Sequence, residues 1–139
     1  MAQTIEEIMT SDPRTVDADA TVMEAARQMR DGDFGSVIVM REGQVDGIVT
    51  DRDIAIRAVA EGRDPESTQV DEICTSGVAT VEPQQSVDEA VQTMREHDIR
   101  RLPVVKHGRP VGILSLGDLA MERDPQSVLA DISASSPDS

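Results

Sequence analysis

Ile99-Arg100-Arg101-Leu102-Pro103-Val104-Val105 leads through a turn holding Gly108 into Gly112-Ile113-Leu114-Ser115-Leu116-Gly117-Asp118. The order is an apolar run, a glycine turn, a second apolar run, and then a hydroxyl three residues ahead of an aspartate. Apolar runs this short, bounded by turn residues, read as two buried strands of a hairpin. Ser-x-x-Asp reads as the start of a helix. The same order occurs earlier, as Phe34-Gly35-Ser36-Val37-Ile38-Val39, a turn at Gly43, and Gly47-Ile48-Val49-Thr50-Asp51-Arg52-Asp53. The offset is 65 residues, the distance from Gly47 to Gly112. It holds without a gap upstream too: Ile8 and Thr10 fall on Ile73 and Thr75, and Thr15-Val16 on Thr80-Val81. Roughly 16 of about 48 aligned positions are identical, where chance gives about 3, so the chain is an internal duplication.

Each copy predicts the same elements. Thr15-Val16 and Thr80-Val81 begin short β segments. Thr21-Val22-Met23-Glu24 and Ser86-Val87-Asp88-Glu89 are capping boxes, a hydroxyl at the N-cap and Glu at N3. Val22, Ala25, Ala26 and Met29, like Val87, Ala90, Val91 and Met94, then follow helical spacing. The strands Val37–Met40 and Val45–Val49, or Leu102–Val105 and Pro110–Leu114, come next, and a second helix starts near Thr50 or Ser115. The order per copy is β-α-β-β-α, giving an α/β (α+β) fold. Neither copy is long enough to make a comfortable core alone, so the two are expected to pack with pseudo-two-fold symmetry. The expected boundaries are residues 5–62 for the first copy, 63–69 for a polar linker, 70–123 for the second copy and 124–139 for a tail. In that tail Ser127–Ile132 reads as a short helix and Ser133–Ser139 as disordered.

Charge and composition exclude several functions. Asp+Glu is 27 against 13 Lys+Arg, a formal net charge of -14. That surface repels phosphate backbones and anionic lipid, so neither nucleic acid nor membrane is expected as a partner. Phe34 is the one aromatic residue, too few for a base-stacking platform. Cys74 is the single cysteine, which leaves no intrachain disulfide and no Cys-rich zinc site. No apolar run approaches the ~18 residues of a membrane span, and the first residues lack a signal-peptide pattern, so a soluble cytoplasmic protein is expected. Lys106 is the one Lys, and 16 of the acids are Asp. A GC-rich genome and a salty cytoplasm both produce that skew, and both readings stay open.

The residues with chemistry to offer sit where the second strand of each copy enters its last helix. Glycine there lets backbone approach a ligand closely. A hydroxyl and the free N–H groups of a new helix hold phosphate or carboxylate. An ionised Asp accepts two hydrogen bonds, and a ribose diol supplies two donors at matching spacing. Thr/Ser-x-x-Asp is equally an ordinary helix cap. Recurrence in both copies, and the arginines of His97-Asp98-Ile99-Arg100-Arg101-Leu102-Pro103, favour a ligand site.

On these motifs the chain resembles a tandem pair of CBS domains, also called a Bateman module, over residues 5–122. Small stand-alone paired-CBS proteins, the hypoxic response type among them, are similar in length and layout. The resemblance implies two clefts that hold an adenosine-containing ligand such as AMP, ADP, ATP, S-adenosylmethionine or a nicotinamide dinucleotide. It assigns the ribose to Asp118 and Asp53, the phosphate to Ser115, Thr50 and Arg101, with Arg100 and Pro103 in the same motif. It places Ile99 and Val78 against the adenine of one cleft, and Phe34 and Pro13 against that of the other. Arg100-Arg101 aligns with Gly35-Ser36, so the expectation is a competent site around Asp118 and a weaker or empty one around Asp53, where Arg52 compensates in part.

No cofactor is required on this reading; Mg²⁺ can arrive with a nucleotide's phosphates. The resemblance further implies a homodimer acting in trans on an unidentified target protein. An enzyme finds little support. Cys74 aligns with Met9 and reads as a packing position, His97 suits a helix end, and His107 lies in a turn. There is no nucleophile elbow. The competing reading is an interaction module that dimerises with vacant clefts.

Overall fold

The computed structural model describes residues 3–123. The tail read from the sequence as residues 124–139 lies outside them. Helix α1 spans Ile5–Ile8, followed by strands β1 (Thr10–Ser11) and β2 (Thr15–Asp17), helix α2 (Val22–Gly32), β3 (Ser36–Arg41) and β4 (Gln44–Thr50). Helix α3 (Asp51–Asp53) runs straight into wider turns at Ile54–Val59, where Ala60 N–H reaches the Ala55 carbonyl five residues back. A single 3-10 turn, Val70–Glu72, and β5 (Thr75–Ser76) precede α4 (Val87–His97), β6 (Arg101–Lys106), β7 (Arg109–Ser115) and α5 (Leu116–Arg123).

Both hairpins turn on two residues with positive φ, Glu42-Gly43 and His107-Gly108. That geometry matches the twist of the flanking strands. Both carry a register shift at the same place, between Val39 and Met40 and between Val104 and Val105. Helices α2 and α4 end alike, with Asp33 or Asp98 left-handed and its N–H bonded to the carbonyl of Met29 or Met94. Their beginnings form only half of the expected capping box. Thr21 and Ser86 accept from the N–H of Glu24 and Glu89, but the glutamates do not return the bond to the N-cap amide. Glu89 instead accepts from the side chains of Gln85 and Ser86.

The chain forms two compact units, and they do not coincide with the two sequence copies. One unit is Arg14–Val78; the other joins the residues up to Pro13 to those from Ala79 onward. Each copy's leading segment is therefore built into the unit formed by the other copy. In the first-copy unit the sheet order is β2-β3-β4-β5. In the second-copy unit it is β1-β7-β6, with Val81 bridging to Val104 beyond β6. The exchanged strands pair identically: Thr75 and Ser76 against Ile48 and Gly47, Thr10 and Ser11 against Ile113 and Gly112. The exchanged residues also cap helices. The carbonyl of Thr68 accepts from Val22 N–H, and that of Gln3 from Val87 N–H. The polar stretch before Val70 is thus no loose tether, since Thr68 is buried and Pro65 O receives Met23 N–H.

Each unit has its own core. Val22, Ala25, Met29, Val37, Val39 and Val49 fill the first, and Val87, Ala90, Met94, Leu102, Val104 and Leu114 fill the second at the aligned positions. The exchanged segments complete them with Val70 and Ile5, both 0% exposed. Burying one such side chain stabilises by about 1.5–3 kcal/mol.

Candidate functional site

Helices α3 and α5 start from the same reciprocal cap. Thr50 Oγ1 accepts from Asp53 N–H at 3.1 Å while Asp53 Oδ2 accepts from Thr50 N–H at 2.9 Å. Ser115 Oγ and Asp118 Oδ2 do the same at 3.1 and 2.9 Å. The next amide is taken as well, Asp51 N–H by the Gly35 carbonyl and Leu116 N–H by that of Arg100. The expectation that the helix N-termini present free N–H groups is corrected accordingly, because the cap and the preceding loop satisfy most of them.

Beyond the cap the copies differ. Asp51 Oδ1 takes the Arg52 N–H at 2.8 Å. Leu116 occupies the aligned position and cannot do so; the Gly117 N–H has no acceptor among the described residues. Asp53 Oδ1 faces Arg57 Nε at 3.9 Å, and Arg57 Nη1 is held by the Ile73 carbonyl at 3.2 Å. Asp118 Oδ1 has no partner among the described residues, and burial pushes the Asp118 carboxyl above the usual carboxylate range against the two Ser115 hydrogen bonds.

The other expected residues are placed as follows. Arg100 is exposed, Ile99 and Arg101 are half-buried, and Pro103 is fully buried in the middle of β6. Phe34 is half-buried with the Arg14 guanidinium 5.5 Å from its ring centre. Val78 belongs to the unit of Asp53, and Pro13 to the unit of Asp118.

The motif glycines also serve something other than a ligand. A Cβ at Gly47 would collide with the Thr75 carbonyl, and one at Gly112 would lie 2.9 Å from the Thr10 carbonyl and against the Met9 thioether. The close approach belongs to the exchanged strands β5 and β1. Cys74 is buried in the first core, its thiol pushed up by burial. His97 closes α4, with Nδ1 3.1 Å from the Thr93 carbonyl. Among the described residues no three His, Cys, Asp or Glu side chains are grouped to hold a metal, and no helix is long and apolar enough to cross a membrane.

Sequence reading missed Asp51 and Arg57. Their signal lay in the places where the duplication fails: Asp51 aligns with Leu116, and Arg57 with Glu122.

A duplicated hairpin, each copy ending in a Gly-x-x-Thr/Ser-x-x-Asp helix start and completed by the other copy's leader, is the architecture of a CBS domain pair. The CBS domain profile matches residues 5–59 and 70–134, and the chain belongs to that family. Members are generally regulatory rather than catalytic. The chain is 40% identical to the CBS domain-containing protein YhcV of Bacillus subtilis over 119 residues, 86% of this chain and 84% of that one. It is 31% identical to Hypoxic response protein 1 of Mycobacterium tuberculosis over 132 residues, 94% of this chain and 92% of that one. Among solved structures it is similar to the CBS domain pair of protein MJ0100 in complex with 5′-methylthioadenosine and S-adenosyl-L-methionine, with 26% identity and a TM-score of 0.79, over 91% of this chain and 100% of that one.

Proposed function

We propose that the chain is a non-enzymatic sensor that binds an adenosine-containing ligand at Asp118 and signals in trans. The observation that carries this reading is the Oδ1 of Asp118, which no described residue claims, one residue after a Gly117 amide that none of them accepts from. A carboxylate with a free oxygen accepts from a ribose diol, and an N-terminal amide takes an anionic oxygen. Arg100 precedes β6 and Arg101 opens it opposite Ser115 of β7, adding positive charge for phosphate, with Mg²⁺ accompanying a polyphosphate. The MJ0100 pair, similar over most of its length, carries adenosine compounds. The ligand acts only through differential affinity for two packing or association states.

The second reading is an interaction module with vacant sites. It is favoured by the apolar residues on the last helix of each copy, where Val59 is 68%, Leu116 53% and Ile56 47% exposed. Homodimerisation fits both readings.

Calorimetric unfolding with AMP, ADP, ATP, S-adenosylmethionine or NADH separates them. A ligand at ~100 times its Kd stabilises by about 2.7 kcal/mol, a rise of several degrees for a chain this size. The expected result is a rise with one adenosine compound, absent with its guanosine analogue and abolished in a folded Asp118→Ala, Arg101→Ala chain. No rise with any compound, on a well-folded protein, sends the search to protein partners.

A further inference from the structure

The two copies present the same capped aspartate, yet among the described residues only Asp53 has a cation placed against its second oxygen. Arg57 Nε lies 3.9 Å from Asp53 Oδ1. The guanidinium is not free to swing away, because Nη1 donates to the Ile73 carbonyl, and Ile73 is a buried residue of the exchanged segment. With Oδ2 occupied by the Thr50 amide, both Asp53 oxygens face donors supplied by the chain itself. The adjacent amide is closed as well, since Asp51 Oδ1 takes the Arg52 N–H. At the aligned positions of the second copy stand Leu116 and Glu122, residue types that supply neither contact.

We propose that Arg57, with Asp51, closes the first copy against the ligand, so that the chain is a one-site sensor by internal occupation rather than by loss of the ribose carboxylate. The inference rests on the sensor reading above. A diol approaching Asp53 must displace the Arg57 guanidinium, and a phosphate must compete with the Asp51 carboxylate for the Arg52 amide and meet its negative charge. Asp53 itself is intact and correctly held, so opening the site needs substitutions only around it. Arg57 is 52% exposed and Asp51 is exposed, so neither change disturbs the core.

The test is calorimetric titration with AMP. Wild type is expected to bind with one strong site per chain, and Asp118→Ala to leave only the weak first-copy site. Adding Arg57→Gln and Asp51→Leu to Asp118→Ala should strengthen that site about fivefold, the ratio an exposed ion pair supports. Adding Asp53→Ala should remove the gain, and 2′,3′-dideoxy-AMP should show none. If Asp51→Leu costs folding, Arg57→Gln alone in the same background carries the measurement.

Wild type binding normally while the opened chain gains nothing overturns the closure and leaves the sensor reading standing. A weaker opened chain also overturns it, because Arg57 would then be a phosphate ligand. Failure of wild type and opened chains alike to bind AMP, ADP, ATP, S-adenosylmethionine or NADH overturns the sensor reading and this inference with it.

Discussion

The first-copy and second-copy units share strand order, hairpin turns, bulge positions and the reciprocal cap on the last helix, then part at a handful of side chains. In the first, Asp53 is enclosed by Thr50, Arg57 and its own helix start; in the second, one Asp118 oxygen meets no partner among the described residues, and burial disfavours its charge. The last helices differ as well, wide turns at Ile54–Val59 against a regular α5. Duplicated backbone preserves a scaffold, and single side chains decide what surrounds the aspartate in each copy of it.

The largest expected effect concerns the glycines that admit the exchanged strands. Gly47→Ala should destabilise by about 2–3 kcal/mol, because the Thr75 carbonyl is backbone and cannot yield. Gly112→Ala should cost less, since part of its clash is with the flexible Met9 side chain. Denaturant melts of the two variants rank them, and equal losses would break the distinction.

A smaller effect separates the two aspartates by pH. The folded-state pKa of Asp118 is raised, so its ionisation is harder in the folded chain than in the unfolded one. Stability from this group is complete below the unfolded value of about 3.9 and is lost as pH rises through the folded value. Asp118→Asn should therefore melt higher than wild type at neutral pH, with the gain vanishing below pH ~3.9. A gain independent of pH would assign it to packing. Asp53→Asn, which removes the partner of Arg57, should give no such gain at neutral pH.

The smallest effect tests the symmetry of the first helices. Thr21→Ala and Ser86→Ala each remove one N-cap bond and should each cost about 1 kcal/mol. A larger loss for Ser86→Ala would show that its additional hydroxyl contact to Glu89 carries weight.

Much of this was legible in the residues. Val22, Ala25 and Met29 with their counterparts gave the helices, and Gly43 and Gly108 gave the turns, because spacing and positive φ are local properties. The exchange of leaders was not legible. Ile5 and Val70 are equivalent in both sequence and pattern, so nothing local says which body each completes. The role of Gly47 and Gly112 was hidden for the same reason: what approaches them comes from the other copy. The twin caps were readable as caps, but the closure by Arg57 needed its distance to Asp53 and the anchoring carbonyl of Ile73.

The exchanged leaders also bear on ancestry. Thr4 bridges to Ser86, and Gln69 to Thr21. Cut the chain at the junction between the copies and the connectivity is that of two half-length proteins, each lending its first residues to its twin. A gene fusion that joined such a mutually lending pair would convert an intermolecular loan into an internal one. The unit that evolution could then diversify was the tandem pair, since each unit is closed by a strand from the other copy.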